Sequence, residues 1–230
     1  MKWSREFTFE DRRDAGRQLA RGLERFRNVP RTIVLGLPRG GVVVGCEIAL
    51  VLRAPLDVLV TRKLGTPGNP ELAMGALAET GYRHLNQEIL EAYGISPGEL
   101  EDEITRQQQE IQRRVERYRQ GRGLPSLEGW TVVLVDDGIA TGATFYASLA
   151  ALRDRRVAHL VAAVPVAPQR ERDELQGKVD EMVLLQTPDT FYGIGQFYDN
   201  FTQVTDEEVL RCLDEVKHAL KEKPAGPPRG

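Results

Sequence analysis

Two adjacent carboxylates, Asp136 and Asp137, stand between an apolar run and a turn of small residues in the stretch Thr131 to Thr144, TVVLVDDGIATGAT. Thr131 to Val135 reads as a buried parallel strand, and Ala147 to Leu152 continue as a helix. The turn between them sits at a strand's carboxyl end. Gly138 and Gly142 let the backbone approach a ligand closely, while Thr141, Thr144 and the amides that open the helix can donate to a phosphate. Asp136 and Asp137 are then placed to accept from two vicinal hydroxyls, so the chemistry suits a sugar phosphate. The same residue order also fits an ordinary strand-turn-helix junction whose Asp pair caps the helix. A Walker loop is excluded, because the turn carries no Gly-Lys-Ser/Thr.

A second Gly-rich turn, Gly36-Leu37-Pro38-Arg39-Gly40-Gly41, follows an apolar strand and precedes a helix, which puts another set of free amides at a strand end. Phosphate is again the natural guest. Its Gly spacing is not that of a dinucleotide fingerprint. A third strand end carries two cations, Arg62-Lys63, where an apolar run emerges; they either meet an anion or snorkel at the surface. After the final strand comes an aromatic segment, Pro188 to Asp199, with Phe191, Tyr192, Phe197 and Tyr198; the last two serve equally well as core packing under a C-terminal helix.

The elements that must position these groups follow from periodicity. Thr8 and Asp11 resemble a capping pair, and Ala15, Leu19, Leu23 and Phe26 make residues 9–27 an amphipathic helix. Strands are expected at Thr32–Gly36, Leu56–Arg62, Thr131–Asp136, Leu160–Val166 and Met182–Leu185, with helices at Val42–Leu52 and Ala143–Arg153. This alternation predicts an α/β fold, a doubly wound and mostly parallel sheet flanked by helices. The connection between the second and third strands is too long for a plain crossover. Its first half, 64–81, is rich in Gly and Pro and reads as a mobile loop with a short strand or hairpin around Ala76 to Glu79. Its second half, 86–121, is a helical insertion whose helix opens at the capping box Ser96 to Glu99 and reads as a solvated flap or a dimer contact. A last helix starts at Thr205 to Glu208, and 221–230 is expected to be a disordered tail.

With 230 residues, 41% of them hydrophobic, the chain suits one α/β domain over 1–220 rather than two. A formal charge of only -3 points away from nucleic acid and membrane and toward small-molecule partners. Cys46 and Cys212 lie far apart in sequence, and no signal peptide or long apolar run is present, so a reduced, cytoplasmic setting is expected. His84, His159 and His218 are scattered, which is not the spacing of a metal cluster.

The segment 131–144 resembles the thirteen-residue signature of the type I phosphoribosyltransferases, which bind 5-phosphoribosyl-1-pyrophosphate. The resemblance implies that fold, with a small C-terminal hood, and a homodimer. It implies that Asp136 and Asp137 hold the ribose 2' and 3' hydroxyls, directly or through water-linked magnesium, and that Gly138, Ile139, Ala140, Thr141, Gly142, Ala143 and Thr144 form the ribose 5-phosphate loop with them. Pro38, Arg39, Gly40 and Gly41 fall on the pyrophosphate loop, where Leu37-Pro38 is a candidate cis bond. Arg62 and Lys63 fall on the Arg-Lys that faces pyrophosphate ahead of a closing loop. Pro188 to Asp199 is similar to a base-binding hood, its last Asp offset by about one residue; Phe191 would stack on a base and Tyr192 would supply backbone polarity. The implied reaction is magnesium-dependent displacement of pyrophosphate by a nitrogen acceptor, a nucleobase, with Arg39, Arg62, Lys63, Asp136 and Asp137 as its catalytic set. Ala140 replaces the Asp that hypoxanthine-guanine enzymes carry there, so acid-base help is assigned to the mobile loop, at Glu71 or Glu79. The alternative is a non-catalytic member of the fold that senses phosphoribosyl pyrophosphate or nucleotides; a phosphate-handling hydrolase lacks a visible nucleophile.

Overall fold

The computed structural model describes residues 8–221. Five strands, β1 Thr32–Gly36, β2 Leu56–Val58, β6 Thr131–Val135, β7 His159–Val166 and β8 Glu181–Gln186, form a parallel sheet in the order β2-β1-β6-β7-β8. The strands read as apolar runs because both faces are covered. Val34, Val133, Val135 and Val161 turn to one face, under α1 (Arg12–Leu23), α2 (Gly40–Leu52) and α7 (Asp206–Lys221). Ile33, Leu35, Val132 and Leu134 turn to the other, under α5 (Ala143–Asp154) and α6 (Gln169–Leu175). The expected doubly wound sheet is therefore present, and every crossover carries its helix to the face that needs covering.

The expected single strand over Leu56–Arg62 is instead two. β2 ends at Val58, the amide of Leu59 makes a last bond to Gly36 O, and β3 (Thr61–Thr66) leaves for a separate antiparallel sheet with β4 (Asn69–Ala78) and β5 (Arg83–Leu85). The apolar run continues unbroken across this change of sheet, so its pattern carries no mark of the exchange. Segment 64–81, expected as a mobile loop, is largely this β3-β4 hairpin. The insertion pins it. Within α4 (Pro97–Arg119), buried Glu103 accepts from the amide of Gly65 at 3.1 Å, and Gln107 accepts from Arg62. The other end of α4 meets α7, where Tyr118 donates to Asp206 at 2.6 Å. α4, expected as a solvated flap or a dimer contact, is thus packed along part of its length on the hairpin and on α7. A short helix α3 (Gln87–Ala92) joins β5 to α4, whose capping box at Ser96 and Glu99 is present as expected.

Two boundaries move. Helix α1 starts at Arg12 because Asp11 is its N-cap, accepting from Asp14 N at 2.8 Å, while Thr8 donates to Asp199 on the far side of the chain. Lys221, placed in the expected tail, is the last residue of α7, and the rest of that tail lies outside the described residues. Cys46 and Cys212, distant in sequence, are both free and buried, with Cys46 Sγ 3.7 Å from Cys212 O where α2 packs on α7. Among the described residues no helix is long and apolar enough to cross a membrane.

Candidate functional site

The carboxyl ends of β1 and β6 are adjacent in the sheet, and the turns that leave them are packed together. The amide of Leu37 donates to Val135 O at 2.9 Å. A Cβ on Gly41 would lie 2.5 Å from Val135 O and 2.8 Å from Asp136 Cα, so only glycine permits this approach. The chain then enters α2 with Arg39 at its N-cap, which places Gly40 and Gly41 in the first turn, two residues earlier than expected. The cis bond is Pro38-Arg39, not Leu37-Pro38.

Beyond Asp136 and Asp137 the turn folds round a cavity of about 130 Å³ lined by Asp136 and by Gly138 to Phe145. Gly142 is the N-cap of α5 with φ +69°, the left-handed conformation that favours glycine, and the unpaired amides of the first helical turn face this cradle. Gly142 is backed by residues the sequence reading missed. Tyr146, one turn into α5, donates to the buried carboxylate of Glu171 on α6, and Glu171 Oε2 lies 2.6 Å from where a Cβ on Gly142 would stand. No periodicity links Glu171 to the cradle; only the packing of α6 on α5 does.

Arg12 was missed as well. It comes 125 residues before Asp137, yet its Nε donates to Asp137 Oδ2 at 2.6 Å, with both side chains largely buried. Tyr198 donates to the backbone oxygen of Asp137 at 2.6 Å. Asp136 accepts from the amide of Asp137 at 2.9 Å, and burial, then the neighbouring Asp137 carboxylate, push its own carboxyl well above the usual range. The sequence had this Asp pair as an acceptor for hydroxyls, directly or through magnesium, or as a helix cap; the structure shows one member already salt-bridged.

The two cations on β3 are not side by side in effect, because neighbouring strand residues face opposite ways. Arg62 turns to α4, where its Nε donates to Gln107 Oε1 at 3.0 Å and burial lowers its pKa. Lys63 shares the face of Thr61, and Ser148 Oγ of α5 lies 2.8 Å from both Thr61 Oγ1 and Thr144 O. That face is the one toward the phosphate turn.

In the C-terminal segment Phe191 packs on Phe197, ring centroids 5.5 Å apart, and Phe197 is buried in the core. Tyr192 is 91% exposed, and its amide donates to Gln196 Oε1 at 2.7 Å. The aromatic left free is thus Tyr192, and the backbone donor expected there is already engaged. Glu79 is a structural residue: it accepts from Val60 N at 2.8 Å and pairs with the buried Arg119. This removes it from acid-base duty on a loop, and the side chain of Glu71 lies outside the described part.

The model of the phosphoribosyl transferase domain matches residues 12–202, most of the chain and all of the turns just described. The chain belongs to this family. Two proteins of Mycobacterium tuberculosis, from strains CDC 1551 and H37Rv and each provisionally named a phosphoribosyl transferase, are 46% identical over 214 residues. That alignment takes in 93% of the chain and 48% of each relative, so the chain spans about half the length of the curated relatives it matches. The crystal structure of TT1426 from Thermus thermophilus is 42% identical, with a TM-score of 0.76 over 90% of this chain and 98% of that one. The match to the family begins at Arg12 and ends at Thr202, the two residues that the Arg12 side chain ties together through Nη1 and Thr202 O at 2.9 Å. In this phosphoribosyl transferase domain the fold is accordingly the type I α/β sheet with a β-hairpin and helical insertion.

Among the described residues no group of three or more His, Cys, Asp or Glu is placed to hold a metal. The two Asp carboxylates are nonetheless hard oxygen donors, which suit magnesium when a ligand phosphate and waters complete its shell. Each has one oxygen engaged, Asp136 Oδ1 by the amide of Asp137 and Asp137 Oδ2 by Arg12.

Proposed function

We propose that this domain binds 5-phosphoribosyl-1-pyrophosphate with magnesium and transfers its phosphoribose to a nitrogen acceptor, a nucleobase, releasing pyrophosphate. The observation that carries the reading is the meeting of three parts at one sheet edge. A phosphate-sized cradle opens α5, a carboxylate pair borders it, and a second amide-rich turn is packed against that pair. In this reading Gly138 to Thr144 hold the 5'-phosphate and Asp136 and Asp137 accept from the ribose hydroxyls. Pro38 to Gly41 receive pyrophosphate, with Lys63 approaching from β3, while Arg62 would have to leave Gln107 to join them.

The reaction asks the chain for orientation and electrostatics. As the bond from C1 to oxygen lengthens, positive charge grows on the sugar and negative charge on the departing pyrophosphate. The carboxylates face the first, while the amides of residues 39–41 and the side chains of Arg39 and Lys63 face the second. Magnesium, when bound, would neutralise charge on the leaving group. Tyr192, the exposed aromatic of the hood, would cover the acceptor and keep water from the sugar.

One observation favours a second reading, a sensor of phosphoribosyl pyrophosphate or nucleotides without turnover. The segment expected to close over the substrate is a hairpin fastened to α4 through Glu103 and Gln107. The same assay separates the two. Purified protein with phosphoribosyl pyrophosphate and magnesium is screened against a panel of bases for pyrophosphate release. Base-dependent release is the result expected of the enzyme. Tight binding by calorimetry with no release for any base transfers the site to the sensor, and no binding overturns both.

A further inference from the structure

Asp137 belongs to the turn assigned above to ribose, but its side chain is held by Arg12 and its backbone oxygen by Tyr198, residues far from it in the chain. Arg12 Nε donates to Asp137 Oδ2 at 2.6 Å. The same guanidinium donates from Nη1 to Thr202 O at 2.9 Å, and its central carbon lies 3.8 Å over the ring of Phe201 and 6.0 Å from that of Tyr198. Phe201 and Tyr198 are stacked at 4.9 Å, and the Tyr198 hydroxyl returns to Asp137 O at 2.6 Å. The circuit is closed: Asp137, Arg12, Phe201, Tyr198 and Asp137 again. A guanidinium suits the hub because its planar fork bonds along its edge while its face lies on an aromatic ring.

Arg12 thus commits Oδ2 of Asp137 and sets the plane of its carboxylate. In the sugar-phosphate reading a ribose hydroxyl meets that carboxylate in a set orientation. The circuit also makes segment 198–202, which overlaps the end of the hood, part of the support of the sugar carboxylate. We infer that Arg12 is the positioning residue of the ribose site, orienting Asp137 toward the sugar hydroxyls and tying that orientation to the aromatic segment 198–202. The inference rests on the sugar-phosphate reading and adds to it a residue outside its motifs.

Ribose 5-phosphate and its 2,3-dideoxy analogue differ only in the hydroxyls that Asp136 and Asp137 would accept, so their affinity ratio isolates this part of the site. Inorganic phosphate reports on the cradle alone. Calorimetry on the wild type is expected to give a ratio of about tenfold or more, as for loss of a hydrogen bond to a charged group. Arg12→Met keeps an apolar stem against Phe201 and removes the donors. It should bring the ratio to about threefold or less, with phosphate affinity unchanged. Phe201→Leu leaves the Arg12 donors in place and removes the ring beneath them, and should lower the ratio part of the way. It carries the test by itself should Arg12→Met fail to fold. A ratio unchanged in the folded variants overturns the inference while the sugar assignment stands. A wild type that does not distinguish the two sugars overturns the assignment, and the inference with it.

Discussion

Gly40 lies directly against the carboxylate of Asp137: a Cβ built on Gly40 would stand 2.5 Å from Asp137 Cγ and 2.8 Å from Arg12 Nε. The turn proposed for pyrophosphate and the turn proposed for ribose therefore share a surface with no room for a methyl group. Gly40→Ala should push the two apart, at a cost of about 1–3 kcal/mol from overpacking. The expected outcome is a folded protein by circular dichroism with at least a tenfold loss in affinity for phosphoribosyl pyrophosphate; full retention would show that the turns act independently.

Asp137→Asn keeps the shape of the side chain and removes its charge, which is matched to Arg12 in the free protein and would face a sugar hydroxyl in the complex. A loss of about 1.5–3 kcal/mol in binding is expected. Calorimetry with phosphoribosyl pyrophosphate and magnesium checks it, and unchanged affinity in the double Asn variant at Asp136 and Asp137 would remove the ribose assignment.

Pyrophosphate recognition should be separable from ribose-phosphate recognition. Replacing Arg39 or Lys63 by Ala removes cations carried by elements other than those that form the cradle. Each change should cost the pyrophosphate-bearing ligand about 1.5–3 kcal/mol and leave ribose 5-phosphate almost unaffected. Equal weakening of both ligands would argue against the division of the site.

Glu79 and Arg119 test the structural role of the hairpin. Both side chains are buried, at 5% and 7% exposure, and Glu79 also accepts from Val60 N where the chain changes sheets. Glu79→Ala strands a buried guanidinium and should cost about 3–5 kcal/mol of stability in chemical denaturation. Replacing both by well-packed apolar residues should recover most of it.

Ala140 bears on acceptor choice. Exposed at the lip of the cradle, it offers no proton-exchanging group. Hypoxanthine and guanine are therefore expected to be poor acceptors in the base screen, and turnover of either at the rate of the best base would overturn this.

The residues 131–144 carried their own local structure. Strand, turn and helix are all short-range, so the apolar run, the glycines and the helix start could be read directly, and β6 and α5 stand where the pattern put them. The parallel sheet was legible for the same reason, since buried strands alternating with helices leave few topologies. The hairpin was legible only as a short strand or hairpin around Ala76 to Glu79, because antiparallel pairing of β3 with β4 depends on a partner strand and on α4, and Gly and Pro in 64–81 signal only that the chain turns. Not legible at all was the packing in the hood, where Phe191 lies half-buried on Phe197 and Tyr192 is left exposed. Sequence by itself thus determined the strand, turn and helix of 131–144 and the mostly parallel character of the sheet, the first built from neighbouring residues and the second from the alternation of strands and helices. Tertiary structure alone decided that Arg12 reaches Asp137, that Glu171 backs Gly142 and that Arg62 turns to Gln107. Each of these joins residues from separate elements, and a contact of that kind exists only after hydrophobic packing has set the elements against one another.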